Sequence, residues 1–409
     1  MKGTRLMKIN FLPSICPTYK IPSTTLLDTP LVDCATQNAV SIKKARSNME
    51  DILSRFKIKA HVSKIFVGPS VTHFELALES GVRIERIIRI QKKIAVALEK
   101  TSIRIIAPIP GKNAIGIEIP NEKSSRVYLR SLLESKEWGK TKVNIPILLG
   151  QNVKNMTAVF DLAKIEHLLI AGRSEPEKNN CLNMLIMSLL FRFSPDELKI
   201  LFITTDIERQ RQYLNIPHMI IPAVKDHHDV WRAIQQAEIQ IHDRYGMIYK
   251  VRAKNIAGFN SREPDSQRYL DDYGNVIPQK LPILVVIVDE LSDAMKGNCK
   301  YEAETDICRI AQKGHTVDMH LIIATNSLKK SIVTDLIKAN FPSKIAFRVN
   351  SIKESRLILD MCGAEKLLGD GDMLYNPPYG SNMERIQAAR CSNEEIRRTI
   401  DAITNISEG

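Results

Sequence analysis

A continuous apolar run in the second half of the chain, LPILVVIVDE at 281–290, constrains the fold most strongly. The run shows no alternation of polar and apolar residues, so it predicts a strand that is buried on both faces. Strands of this kind occur in parallel sheets whose connecting helices cover both faces. Asp289 and Glu290 close the run with two adjacent carboxylates.

Further strands alternate with helices from about residue 145. The strand candidates are HLLIAG, KILFIT, HLIIAT and KIAFRV, and an apolar helix is expected at 180–193. Alternation of this kind predicts an α/β fold with a parallel-rich sheet. The expected organisation is a tail or linker at 1–40, a small α/β domain at 41–140, the larger α/β domain at 141–400 and a tail at 401–409.

The small domain has its own pattern. A helix is predicted at 42–56, followed by two strands in HVSKIFVGPSVTHFELAL. RIERIIRIQKKIAVALEK has apolar residues at helical spacing, and IRIIAPIPGKNAIGIEIP predicts a hairpin.

The charge of the chain is concentrated in the small domain. The whole chain carries a net charge of +12, and residues 41–140 alone hold 20 Lys and Arg against 10 Asp and Glu. This excess suits a polyanionic partner, although it is equally compatible with simple solubility. The seven cysteines form no CxxC pair, which argues against a zinc site and favours a reducing compartment. No apolar run is long enough for a membrane span, so a cytoplasmic location is expected.

The segment after HLLIAG is placed like a phosphate-binding loop, G-x-x-x-x-G-K-[ST], between a strand and a helix. Gly172 and Lys178 fit the motif, but Glu177 replaces a required glycine and Asn179 replaces the hydroxyl residue that binds magnesium. Asp289 and Glu290 are candidates for the magnesium-associated acid and the catalytic base. The alternative is an ordinary strand–helix connection whose acidic residues favour the helix start.

The departures from the motif each have a physical cost. Pro176 has no N–H group to offer a phosphate. Glu175 and Glu177 would bring carboxylates close to it, and like unit charges 4 Å apart repel by roughly 4 kcal/mol at an effective dielectric constant of about 20. The pattern therefore predicts weak nucleotide binding.

Several longer segments resemble the FtsK/SpoIIIE family of DNA translocases, in order over about residues 19–395. They include FVGPSVTHFEL, NIPHMIIPAV, DRYGMIYKVRAKNIAGFN, RIAQKGHTVDMHLIIAT and GAEKLLGDGDMLYNPP. The resemblance implies a RecA-like P-loop motor preceded by a smaller domain. It also implies ATP with magnesium as cofactors, and hexameric rings that pump double-stranded DNA.

Carried over by position, Lys178 is the loop lysine, Asp289 the magnesium-associated acid and Glu290 the catalytic base. The family's loop serine falls at Asn179, its arginine with a possible trans role falls at His315, and a glutamine expected near the γ-phosphate falls at Asn326. This concentration of departures around the nucleotide indicates relaxed demand for hydrolysis.

Four lysines are candidates for DNA contact, because this region approaches the channel in the family: Lys329, Lys330, Lys338 and Lys344. The alternative is a solvated surface. Three interpretations of function remain open at this point. They are a DNA-binding ring protein with impaired ATP use, an active ATP-dependent translocase in chromosome segregation, and a non-catalytic partner in a mixed ring with an active paralogue.

Overall fold

The computed structural model describes residues 11, 19–30, 38–100, 103–109, 111–263, 269–378 and 382–407. Most of the predicted tail at 1–40, and residues 408–409, lie outside these ranges. Within the described part of the chain, no helix combines the length and apolarity needed to cross a bilayer.

The small domain is a four-stranded antiparallel sheet with helices. Its strand order is β1-β2-β4-β3, and its elements are α1 (Asn38–Arg55), β1 (Ala60–Val67), β2 (Val71–Leu78), α2 (Ile84–Arg89), α3 (Gln91–Ala97), β3 (Arg104–Ile106) and β4 (Ala114–Pro120). The two strands and the hairpin expected from the sequence are both present. The single helix expected after them is divided into α2 and α3 at Ile90.

The larger domain is built on a ten-stranded sheet. Its strands are β5 (Pro146–Asn152), β6 (Thr157–Asp161), β7 (Leu168–Ala171), β8 (Leu198–Ile203), β9 (Met219–Ile220), β10 (Ile283–Val288), β11 (Met319–Thr325), β12 (Ser343–Ala346), β13 (Asp372–Asn376) and β14 (Glu384–Gln387). Its helices are α4 (Leu129–Leu133), α5 (Lys136–Gly139), α6 (Leu162–Ile165), α7 (Glu175–Leu190), α8 (Ile207–Tyr213), α9 (His227–Lys250), α10 (Ile256–Asn260), α11 (Leu291–Ala294), α12 (Lys300–Lys313), α13 (Asp335–Asn340), α14 (Ile352–Leu359) and α15 (Asn393–Ser407).

The strand order is β6-β5-β14-β13-β12-β7-β11-β10-β8-β9. The strands from β12 to β9 run parallel, and the other half of the sheet pairs antiparallel. The sheet is therefore mixed, and the predicted parallel part is the half from β12 to β9. The strands β7, β8, β10 and β11 end at the same edge, where parallel sheets usually place ligands.

Strand β10 shows why the run at 281–290 has no polar alternation. Val285 and Ile287 face a core that includes α7, whereas Leu284 and Val286 face a core that includes α9 and α12. Both faces are buried, so every position is apolar, as the sequence predicts.

The N-terminal segment 19–30 packs against the larger domain. Leu27 is buried in its core, and the Asp28 backbone N–H donates to the Glu395 carboxylate over 3.0 Å. The final helix, α15, continues beyond the predicted boundary at residue 400, and its Ile403 is buried.

A buried ionic network joins the small domain to the larger one. The Arg385 guanidinium donates to Glu118 of β4 at 2.8 Å and to Asp372 at 2.6 and 2.8 Å. Arg104 lies 3.2 Å from the same Glu118 carboxylate. Burial opposes ionisation of Glu118, but the two arginines and His73 outweigh it and hold its pKa well below the usual value. The network fixes β4 against the antiparallel half of the large sheet.

Candidate nucleotide site

The connection between β7 and α7 is only three residues long, Gly172 to Ser174. Ser174 caps the helix, since its side chain accepts a hydrogen bond from the Glu177 backbone N–H. Gly172 passes so close to the next strand that a Cβ atom there would lie 2.6 Å from the Phe347 Cβ. The helix therefore begins at Glu175, three residues before Lys178.

This early start removes the loop that would surround a phosphate. The Glu177 N–H is taken by the Ser174 side chain, the Lys178 N–H donates to the Ser174 carbonyl at 3.1 Å, and Pro176 has no N–H. A phosphate-binding loop works by aiming free backbone N–H groups at the anion. Here the residues that occupy the loop positions are instead committed to the first turn of α7.

The two glutamates of this turn have different surroundings. Glu175 lines the cleft at the strand ends, as expected from the sequence. Glu177 instead accepts a hydrogen bond from the Gly371 N–H at 3.0 Å and does not line the cleft. Burial raises the pKa of Glu177. Of these two glutamates, only Glu175 therefore faces an anion in the cleft directly.

Lys178, Asp289 and Glu290 come together at the end of β10. The Lys178 ammonium is buried and donates to the Asp289 carbonyl at 3.0 Å. It lies 3.6 Å from the Asp289 carboxylate and 3.5 Å from that of Glu290. The lysine that would hold a phosphate is thus paired with the two carboxylates proposed for magnesium and for the base.

Glu290 is held by the neighbouring strand β11. Its carboxylate accepts from the Thr325 hydroxyl at 2.6 Å and from the Asn326 N–H at 2.9 Å, and it also caps α11 through the Ser292 N–H. The side-chain oxygen of Asn326 is buried without a hydrogen-bond partner among the described residues. Asn326 therefore lies beside the proposed base.

Arg209 of α8 reaches into the same site from the third strand end. One guanidinium nitrogen donates to the Asn179 side-chain oxygen at 2.8 Å and also to the Asp289 carboxylate. The other nitrogen contacts the Asn183 side-chain oxygen at 3.3 Å. The Thr204 hydroxyl donates a hydrogen bond to the second carboxylate oxygen of Asp289 at 2.8 Å.

The open part of the site is a cleft of about 450 Å³ that is more acidic than basic. Its acidic lining residues are Glu175, Asp206, Asp289, Glu290 and Asp293, and its basic ones are Arg173, Lys178 and Lys296. Lys296 pairs with Asp293 at 2.6 Å, and Arg173 pairs with Glu354. Little positive charge is left to attract a polyphosphate.

The arrangement does not fit the cofactors that the family implies. Magnesium prefers carboxylate, hydroxyl and water oxygens, whereas the space between Asn179 and Asp289 is bridged by a guanidinium. A triphosphate needs free N–H donors, and the first turn of α7 has used those of Glu177 and Lys178.

His315 lies away from this cleft. It sits in the turn before β11, whereas the cleft lies after that strand, so the two are separated by about 20 Å of strand. Its side chain is exposed. His315 is therefore too distant to contact a nucleotide in the cleft of its own chain.

The four lysines proposed for DNA contact differ in availability. Lys344 is buried and pairs with Asp360 at 3.0 Å, and Lys338 pairs with the same carboxylate. Lys329 and Lys330 are exposed, and Lys330 also pairs with Asp335 at 3.1 Å. Only Lys329 and Lys330 remain accessible for phosphate contact.

Arg209 is a central site residue that the sequence analysis did not identify. Its signal was present, since it follows the end of β8, and β8 is the parallel neighbour of β10. Carboxyl ends of adjacent parallel strands share one edge, so the first turn after β8 was bound to face Asp289.

Taken together, the parallel strand ends, the strand–loop–helix unit and the Lys178–Asp289–Glu290 group define a P-loop ATPase fold. The fold is shared with the conjugation coupling protein TcpA from pCW3, with a TM-score of 0.55 and 16% identity over 88% of this chain and 99% of that one. The type VII secretion ATPase EccC of Thermomonospora curvata has a TM-score of 0.52 at 15% identity, over 64% of this chain and 32% of that one.

The chain belongs to the FtsK/SpoIIIE family. The family's model matches residues 128–330, and the model of the FtsK alpha domain matches residues 21–121. The chain is 37% identical to a DNA translocase FtsK of Clostridium tetani over 94% of its own length and 51% of the relative's. It is also 37% identical to DNA translocase SpoIIIE of Bacillus subtilis, over 94% of this chain and 48% of that one. The chain spans about half the length of these relatives.

Proposed function

We propose that this chain is a DNA-binding, ring-forming member of the translocase family that binds and hydrolyses ATP poorly. The observation that carries the proposal is the start of α7 at Glu175, which converts the phosphate-binding loop into a capped helical turn. The pairing of Lys178 with Asp289 and Glu290 supports it, because a phosphate would have to compete with two nearby carboxylates for the ammonium.

The proposed partners are double-stranded DNA and other translocase chains. The relatives are named DNA translocases, which supports DNA as the substrate. The exposed His315, about 20 Å of strand from its own cleft, supports contact with a neighbouring chain in a homo-hexamer or in a mixed ring with an active paralogue. The proposed location is the cytoplasm.

An active translocase is the second candidate, and one observation favours it. Lys178, Asp289, Glu290 and Asn326 converge at one strand edge, as catalysis would require. Chromosome segregation would then be the process served. ATP binding and turnover distinguish the two proposals.

The wild-type chain is expected to show no saturable ATP binding at millimolar concentration, and DNA-stimulated turnover far below the roughly 1–10³ per second of ordinary enzymes. The physical reasons are the missing N–H donors and the acidic cleft. Calorimetry and a phosphate-release assay measure the two quantities. Lys178→Met is the control. If this variant releases phosphate as fast as the wild type, the release comes from a contaminant. Turnover in the ordinary range that Lys178→Met abolishes would establish the active translocase instead.

DNA binding is expected to be independent of sequence and to weaken steeply with salt. Neutralising about four phosphates would lower affinity roughly 100-fold between 50 and 200 mM salt. Lys57, Lys59, Arg83 and Arg86 line a groove of about 360 Å³ on the strongly basic small domain and are the natural candidates. Fluorescence anisotropy with two unrelated duplexes measures the slope.

Two sets of substitutions localise that interaction. Changing the four basic groove residues to alanine should flatten the salt dependence. If Lys329→Ala with Lys330→Ala flattens it instead, the contact lies on the larger domain. Affinity unchanged as salt rises would contradict the electrostatic account.

A further inference from the structure

We infer that Arg209 takes the place of the divalent cation in this site, so that a guanidinium rather than a metal ion bridges the groups at the strand ends. The inference concerns the same site as the proposed function, but it is tested without nucleotide. An ATP-binding wild type would overturn the proposed function and leave this test intact.

The first step of the argument is position. In this fold, the residue after the loop lysine and the acid at the end of the central strand are the two protein groups associated with magnesium. These positions are Asn179 and Asp289, and the same guanidinium nitrogen of Arg209 bonds to both. No such bridge can form while a metal ion occupies the space between them.

The second step is charge. Lys178 and Arg209 supply two positive charges, and Asp289 and Glu290 supply two negative ones, within one connected group. The group is neutral as it stands. A divalent cation would add two positive charges next to a buried lysine and a buried arginine, which is electrostatically unfavourable.

The third step is the support around Arg209. Its second nitrogen bonds to Asn183, which also accepts the Tyr213 hydroxyl at 2.9 Å, and its guanidinium lies 5.2 Å from the Phe202 ring centroid. The side chain is 8% exposed. A guanidinium held by side-chain amides, a carboxylate and an aromatic ring has a fixed position, unlike the guanidinium of a surface arginine.

Thermal unfolding of the full chain with Mn²⁺, without nucleotide, tests the inference. The wild type should show no Mn²⁺-dependent rise in Tm that is lost in the Asp289→Asn variant. Arg209→Ala frees Asn179 and Asp289, so it should gain such a shift. Mn²⁺ at about ten times the Kd of the site should raise the Tm of the full chain by roughly 2 °C. Arg211→Ala, on the exposed side of the same helix, is the matched control and should behave like the wild type.

Arg209→Lys keeps the positive charge, and its Tm should remain insensitive to Mn²⁺. This variant distinguishes the effect of the charge from the effect of the space that the side chain fills. The double variant Arg209→Ala with Asp289→Asn should lose the gained shift. A wild-type shift abolished by Asp289→Asn would overturn the inference, as would a folded Arg209→Ala protein without any shift. If Arg209→Ala does not fold, the wild-type comparison with Asp289→Asn still decides the outcome.

Discussion

A variant carrying Glu175→Gly, Pro176→Ser, Glu177→Gly and Asn179→Ser is expected to bind ATP measurably, at least about 100-fold more tightly than the affinity limit that calorimetry sets for the wild-type chain. Two glycines weaken the first turn of α7 by roughly 1 kcal/mol each, which lets the turn open into a loop. Two recovered N–H donors to a charged phosphate are worth about 1.5–3 kcal/mol each, enough for a factor of 100 or more. Calorimetric titration of the folded protein measures the change.

The control for this variant is Glu175→Gln with Glu177→Gln. It removes the carboxylate charges but leaves the helix start in place, because the amide oxygen that replaces the Glu177 carboxylate can still accept from the Gly371 N–H. A gain of less than about tenfold is expected, since only the electrostatic part is recovered. An equal gain in both proteins would show that charge alone impairs the site.

Hydrolysis should recover less than binding in the four-residue variant. Asn326 replaces the glutamine that the family places near the γ-phosphate, and Arg209 still pairs with Asp289. A folded variant that does not bind ATP would move suspicion to Arg209, and to Thr204 and Asp206 on the adjoining strand end.

The second large effect is expected at the junction of the two domains. Arg385→Met should lower the free energy of unfolding by about 3–5 kcal/mol, because it leaves Glu118 and Asp372 as buried charges with one partner removed. Urea unfolding followed by circular dichroism measures this loss.

Arg397→Met is the matched control, because Arg397 makes a comparable pair with Glu394 on an exposed helix face. Its stability should be almost unchanged, since exposed ion pairs contribute little. Adding Glu118→Gln and Asp372→Asn to Arg385→Met should recover part of the loss. If Arg385→Met unfolds like the control, the network does not join the domains energetically.

The sequence by itself determined the class of fold. The run at 281–290 could only be a strand buried on both faces, and β10 has that position. The glycine turn and alternation at 60–78 likewise predicted β1 and β2. These features depend on local spacing and turn chemistry, which a sequence shows directly. The antiparallel half of the sheet was not foreseen. β5 with β6 and β13 with β14 are local pairs, but the β14–β5 pairing that joins them to one sheet links residues distant in sequence.

The sequence also singled out Gly172, Lys178, Asp289, Glu290 and Asn326 as parts of one site, and the structure brings them to one strand edge. It could not show where α7 begins, since the capping of Ser174 and the outward turn of Glu177 toward Gly371 depend on tertiary contacts. It also could not show that Arg209 bridges Asn179 and Asp289, which lie 30 and 80 residues away. Periodicity reports which face of an element is buried, but side-chain pairing across separate strand ends is decided only when the sheet brings those ends together.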